Sequence, residues 1–220
     1  MKKYRSIIWD WNGTLLDDVD IAIGTVNDIL ARRGLPPTER ERYFRDFEMP
    51  VTKYYENAGL DLLKVPFSVI AAEFSEGYGR RVLSAKLAEG AIEVLKAIRD
   101  AGIRQTIISS SEQKSLVALV SKFGIERFFD EVIGKGDFLA DGKADIALEW
   151  LARGSSDART TLLVGDLVYD TEVAAAIGCD CVLIGHGHQG RDKLAACGTD
   201  ILYGIADLPR YMGLKNGSDK

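Results

Sequence analysis

Cysteine and histidine are scarce in this sequence, and long apolar runs are missing. The three cysteines, Cys179, Cys181 and Cys197, are an odd number without metal-ligand spacing. A disulfide framework or a zinc cluster is therefore not expected. They are read as reduced packing residues of a cytoplasmic protein, with Cys179 and Cys181 on one face if both lie in a strand. No stretch nears the ~18 apolar residues of a membrane span. The start, Met1 to Arg5, is basic, but only about four apolar residues follow, too few for a signal-peptide core. An excess of positive charge is also missing: 28 Lys and Arg stand against 33 Asp and Glu, a net charge of −5. That balance argues against non-specific binding to nucleic acid or to a membrane surface. There is no internal repeat and no low-complexity segment. The polar end, residues 215–220, is expected to fray.

What the sequence does hold is a chain of 220 residues, 46% hydrophobic and 28% charged, long enough for one domain or for a domain with an insert. Its organising stretch is Ser6 to Asp17. Ser6 to Trp9 predicts one short buried strand, ending on Asp10, with Gly13 marking the turn. A carboxylate at the carboxyl end of a central strand lies where open α/β sheets build their sites, and a carboxylate is a covalent nucleophile toward phosphoryl groups. Gly13 lets a ligand approach the backbone. Thr14 offers a hydroxyl and a backbone N–H to an oxyanion. Trp11 is read as packing or as a wall toward a second domain.

Residues 18–84 then read as helices without strands. Asp17 or Asp18 is expected to cap the first, and Thr38 with Glu41 to form a capping box for the second. Its charged face, Glu39 to Arg45, is expected in solvent. A helix near Val51 to Asn57 and another from about Phe67 to Val82 follow. So long a strand-free stretch is too much for a loop in a compact domain. The reading is a helical cap, residues 17–85, inserted into a core made of residues 1–16 and 86–220, with hinges near 15–18 and 84–90.

From residue 90 helices and strands alternate, which predicts a parallel sheet covered on both faces. Strands are expected at Gln105 to Ile108, Phe129 to Ile133, Thr161 to Val164, Cys181 to Ile184 and Asp200 to Tyr203. The first of these ends on Ser109-Ser110-Ser111 at a helix N-terminus suited to an anion, with Ser111 as the cap. Lys143 opens a helix, the fourth predicted strand ends on Gly165-Asp166, and Asp170 lies four residues on. Carboxylates from two strand ends can share one hard cation, and Mg²⁺ is usual where a substrate phosphate completes the shell.

This ordered set resembles the haloacid dehalogenase superfamily, specifically its phosphoglycolate-phosphatase-like members with a helical cap after the first motif. Asp10-Trp11-Asn12-Gly13-Thr14 resembles the family's Asp-x-Asp-Gly-Thr, Ser109 its second motif, Lys143 its third, and Gly165 to Asp170 its fourth. The resemblance implies a Rossmann-like three-layer α/β/α core with strand order 5-4-1-2-3 and an inserted helical cap. It further implies a Mg²⁺-dependent phosphatase acting on a small phosphorylated metabolite through an aspartyl-phosphate on Asp10. Thr14, Ser109, Ser110 and Lys143 would bind phosphate. The metal would rest on Asp10, the Asn12 carbonyl, Asp166 and Asp170. One position departs from the pattern: the family's second Asp, its general acid/base, is Asn12. An amide cannot protonate a leaving alkoxide, although the backbone carbonyl of Asn12 can still bind a metal. Activated leaving groups depend less on that acid, and His186, His188 or Glu48 are the residues that could stand in for it. The alternative reading is a phosphoryl-binding protein with little turnover. Carbon–halogen hydrolysis is disfavoured, because that chemistry needs no metal and Asp166 and Asp170 make a metal site.

Overall fold

In the computed structural model, residues 4–136, 142–154 and 156–214 are described; the polar end expected to fray lies outside them. The chain begins with β1 (Ser6–Trp9), followed by a two-residue strand β2 (Leu16–Asp17). Four helices come next: α1 (Val19–Ala31), α2 (Arg40–Asp46), α3 (Val51–Asn57) and α4 (Phe67–Val82). The short strand β3 (Lys86–Leu87) leads to α5 (Ala91–Asp100), β4 (Arg104–Glu112), α6 (Gln113–Lys122) and β5 (Glu131–Lys135). The rest comprises α7 (Lys143–Ala152), β6 (Thr161–Gly165), α8 (Val168–Ile177), β7 (Asp180–Ile184), α9 (Arg191–Ala195), β8 (Ile201–Leu202) and α10 (Leu208–Tyr211).

Six strands form one parallel sheet in the order β5-β4-β1-β6-β7-β8. Numbered within that sheet alone this is 3-2-1-4-5-6, the expected order read from the opposite edge with a short strand added. β1 lies at the centre, and alternation sorts its side chains onto two faces. Ile7 and Trp9, with Ile107, Leu162, Val164 and Val182, pack under α5, α6 and α10. Ile8, with Ile108 and Leu163, packs against α7 and α8. Because both faces are covered, the middles of β1 and β6 are apolar on both sides, and the result is the Rossmann-like three-layer arrangement.

Helices α1 to α4 have a hydrophobic cluster of their own, with Val26, Ile29, Leu30, Tyr54 and Ile70 fully or nearly fully buried. A two-pronged ion pair from Arg33 to Glu73, at 2.9 and 3.0 Å, ties α1 to α4. This helical insertion joins the sheet through β2 and β3, which pair antiparallel, Leu16 opposite Leu87. The ladder falls on the segments expected as hinges. No helix among the described residues is long and apolar enough to cross a membrane. All three cysteines are free thiols.

Three local expectations are corrected. Strand β4 continues through the three serines, with a register shift between Ile108 and Glu112, so Ser109 does not sit at a helix N-terminus. The cap of α6 is Glu112 rather than Ser111; its carboxylate accepts from the N–H groups of Lys114 and Ser115. Thr38 makes no capping box, since α2 starts after Glu39 without a side-chain cap; Asn27 instead clasps the Thr38 backbone at both its N–H and its carbonyl. In both cases a partner distant in sequence, or a longer acceptor, outcompeted the local serine or threonine.

Candidate active site

The carboxyl ends of β1, β4 and β6 meet beneath the helical insertion. Asp10 leaves the end of β1 with its N–H bonded to the Val164 carbonyl at 2.9 Å, which fixes it against β6. Asp166 follows β6 directly. Asp170 lies in the first turn of α8, where one carboxylate oxygen accepts from the backbone N–H groups of Asp166 (3.1 Å) and Leu167 (3.0 Å). One ligand oxygen from each of Asp10, Asp166 and Asp170 lies within 4.8 Å of the others, and all three residues are buried. Lys143, buried at the start of α7, donates to Asp10 Oδ1 at 2.5 Å and to Asp170 Oδ1 at 2.6 Å.

Two of the three carboxylates, Asp10 and Asp170, share one ammonium, and the charges respond. Burial pushes Asp10 up to about 6; Lys143 pulls it back and Asp170 pushes it further up. Burial also drives Asp166 well above the ordinary carboxylate range, against the charge of His188 and with that of Asp10 and Asp170. Burial alone would lower Lys143, but Asp10 and Asp170 outweigh it and hold the ammonium above its usual range. An excess of buried negative charge, made of hard oxygen donors, is what a divalent cation such as Mg²⁺ would relieve. The residues present thus fit such an ion.

Asp166 is held in place on three sides. Thr14 Oγ1 donates to its Oδ1 at 3.2 Å, and the His188 N–H donates to its Oδ2 at 2.6 Å. Gly13, at a left-handed φ of +73°, and Gly187 lie against its carboxylate; a Cβ on either would strike it. Thr14 is fully buried, and its hydroxyl is directed to Asp166. Ser109 and Ser110 line the cavity above Asp10, Ser109 almost wholly buried.

Asn12 also lines that cavity, and its amide is fully engaged. Nδ2 donates to Asp18 Oδ2 at 2.8 Å and to the Tyr78 hydroxyl at 2.7 Å; Oδ1 accepts from Ser111 Oγ at 2.6 Å. Asp18 accepts from Tyr78 as well, at 2.6 Å. A carboxylate can only accept, so the amide orientation is set by the network itself. Asp18 is the N-cap of α1 by position, yet its side chain makes no cap bond. It accepts instead from the Gly13 N–H at 2.8 Å and faces His188 Nε2 at 3.3 Å. His188 Nδ1 meets the Tyr43 hydroxyl of α2 at 2.8 Å. Burial would lower His188, but Asp18 outweighs it and raises the ring to about 9. Burial would raise Asp18, but His188, Tyr78 and Asn12 hold it below the ordinary range.

Of the possible stand-ins for the missing acid, only His188 lines the cavity. His186 is on the same loop but outside the lining, with burial lowering its pKa. Glu48 accepts from Asn57 within the helical insertion at 3.4 Å. Trp11 is fully buried in the core cluster, 6.4 Å from the Phe123 ring. The sequence pattern pointed to Ser111 only as a helix cap and gave no sign of Tyr43 or Tyr78. The three come from separate elements, and no local spacing links them to Asn12.

A central strand ending on a buried aspartate, with a lysine and two more carboxylates beneath a helical insertion, defines a class of Rossmann-like enzymes whose site lies at the carboxyl end of the sheet. The chain belongs to the haloacid dehalogenase-like hydrolases, whose family model matches residues 7–184. It is 26% identical over 214 residues to a phosphoglycolate phosphatase of Caulobacter vibrioides, covering 93% of this chain and 89% of that protein. It is 25% identical over 203 residues to the tyrosine-protein kinase PtkA of Mycobacterium tuberculosis, covering 92% of this chain and 69% of that one. A predicted phosphatase from Clostridium acetobutylicum shares the fold, with a TM-score of 0.81 at 16% identity over 96% of this chain and 99% of that one.

Proposed function

We propose that the protein is a Mg²⁺-dependent phosphatase that hydrolyses a small phosphorylated metabolite through an aspartyl-phosphate on Asp10. The observation that carries this reading is the buried cluster of Asp10, Asp166 and Asp170, with Lys143 bonded to Asp10 and Asp170, beside a cavity lined by Ser109. Relatives that include a phosphoglycolate phosphatase support it. In this reading residues 17–85 are the cap domain over a core of residues 1–16 and 86–220. The free cysteines fit a reducing compartment, and we place the enzyme in the cytoplasm.

An Asp10 carboxylate oxygen forms a bond to phosphorus as the ester P–O bond breaks, and the electron pair leaves with the alcohol oxygen. Water then attacks the phosphorus of the acyl phosphate, releasing orthophosphate and regenerating Asp10. Lys143 holds one Asp10 oxygen and so orients the nucleophile while offsetting its charge. Ser109 and Ser110 offer hydroxyls to the transferred group. Thr14 keeps Asp166 in place. Mg²⁺, held by Asp10, Asp166, the Asn12 carbonyl and Asp170, would neutralise charge on the phosphoryl oxygens.

Asn12 has no proton to give, and both ring nitrogens of His188 are engaged by Asp18 and Tyr43, so the leaving group departs as its own anion. General acid–base help is worth about 10²- to 10⁴-fold, which makes turnover of alkyl phosphates slow. That same observation favours the second reading, a phosphoryl-binding protein with little turnover. Orthophosphate release from p-nitrophenyl phosphate separates the two. The expected result is release that needs Mg²⁺, stops with EDTA and is lost in Asp10→Asn. Release indifferent to chelation and to that substitution would refute the phosphatase.

A further inference from the structure

Resting on the phosphatase reading, we infer that the substrate is an aryl phosphate, the phosphate monoester of a phenol, whose ring occupies the apolar cavity above Asp10. Two independent features meet here. The first is the cavity, which is about 440 Å³ and whose lining includes Val26, Tyr54, Phe67, Phe74, Leu116 and Leu119. Phe74 and Tyr78, both in the lining, stack on each other at 5.4 Å, so the cavity carries aromatic side chains that a further ring can join. The volume falls within the ordinary range for small-molecule pockets.

Among the described residues, the cationic groups lining this cavity are Lys143 and His188. Lys143 is spent on Asp10 and Asp170, and His188 faces Asp18. Asp18 and Glu112 line the cavity too. An organic group bearing a carboxylate, as in phosphoglycolate, would bury its charge without a partner and beside other carboxylates, an arrangement that costs free energy. An apolar group has no such cost and gains by leaving water.

The second feature is Asn12. With no acid at this position, the leaving oxygen must bear negative charge as it departs. A phenol oxygen delocalises that charge into its ring, whereas an alkanol oxygen cannot. The cavity therefore selects for an apolar ring and the chemistry for an acidic alcohol, and a phenol satisfies both.

The test compares four substrates with Mg²⁺: 2-naphthyl phosphate, phenyl phosphate, hexyl phosphate and phosphoglycolate. Phenyl and naphthyl leaving groups are of similar acidity, so their comparison reads the cavity alone. The expected KM for 2-naphthyl phosphate is about tenfold below that for phenyl phosphate, from the extra apolar area buried. Hexyl phosphate and phosphoglycolate are expected at least about 10²-fold lower in kcat/KM, the scale of missing acid catalysis. A kcat/KM for hexyl phosphate or phosphoglycolate equal to that of 2-naphthyl phosphate overturns the inference, as does an unchanged KM between the two aryl esters. Either result, if Asp10-dependent, leaves the phosphatase standing. No orthophosphate from any of the four overturns the phosphatase and the inference together. As a second arm, Ala71→Arg places a cation on the cavity wall. It is expected to raise kcat/KM for phosphoglycolate at least fivefold and to lower it for 2-naphthyl phosphate; 2-naphthyl phosphate turnover unaffected by the arginine would count against the ring's placement.

Discussion

Asn12 is the residue on which the chemistry turns, and its surroundings explain why an amide is stable there. Its Nδ2 donates to Asp18, which already has His188 and Tyr78 as partners. A carboxylate in the same place would face the Asp18 carboxylate and would be driven to keep a proton. Asn12→Asp is therefore expected to introduce a carboxylic acid, raising turnover of alkyl phosphates by about 10²-fold and of aryl phosphates by less. Steady-state kinetics on hexyl and phenyl phosphate check this; a fall on both would mean that Asn12 belongs to a tuned mechanism. Lys143→Met removes the ammonium that bridges Asp10 and Asp170 and is expected to cost roughly 10²-fold in kcat. Gly187→Ala pushes against Asp166 and is expected to weaken Mg²⁺ activation by about 10- to 100-fold, read as a rise in the half-saturating Mg²⁺ concentration. At this scale the sequence was informative where a residue ends a strand. Asp10, Asp166 and Lys143 could be placed because an apolar run or a helical pattern stops beside them. Asp18 was misread for a physical reason: an Asp before a helix is a good N-cap, and nothing local shows that its carboxylate turns back to Gly13, Asn12 and His188 instead.

Among the elements, the loop after β7 and the start of α9 join insertion and core. Gln189 accepts from the Val168 N–H at the start of α8 and donates to the Phe47 carbonyl at the end of α2, at 2.7 and 2.8 Å. Lys193 donates to the same carbonyl at 2.8 Å, and the Gly190 N–H donates to the Phe44 carbonyl at 3.2 Å. The unsatisfied carbonyls at the end of α2 are thus capped by the core. Gln189→Ala is expected to speed amide hydrogen exchange across residues 43–47 and to raise KM more than it lowers kcat, because the lid opens more readily. Protection unchanged in that segment would show that the contact does not hold the two parts together. Short apolar runs between helical stretches located the strands of the large sheet, with ends that coincide or are displaced by up to four residues. The short strands β2 and β3 were not legible, since a two-residue ladder has no period to read. The extension of β4 through its serines depends on its pairing with β5, a contact distant in sequence.

For the molecule as a whole, the acidic cluster links stability to pH and to metal. Asp10 is raised to about 6, with burial as the main cause, against about 3.9 in an unfolded chain. The folded state then holds a proton that the unfolded state has already released. Its contribution to stability is full below pH ~4 and is lost as pH rises through ~6. Without metal, the melting temperature is expected to fall between pH 4 and 6 from this source, an effect absent in Asp10→Asn. Mg²⁺ binds the ionised form, so its stabilisation grows over the same interval. At a hundredfold excess over its dissociation constant a ligand adds about 2.7 kcal/mol, or roughly 5–10 °C for a domain of this size. Calorimetry at pH 5 and pH 7 checks the sign; a Mg²⁺ shift equal at both, or greater at pH 5, would contradict it.

The most direct test is chemical trapping on Asp10. Acyl phosphates survive acid and are cleaved by hydroxylamine. With Asn12 unable to activate water, the covalent form should accumulate during turnover of ³²P-labelled phenyl phosphate. Acid quenching is expected to leave a hydroxylamine-sensitive label on the peptide that carries Asp10, absent in Asp10→Asn. Turnover that proceeds with no label on Asp10, or with label on another residue, would contradict the account.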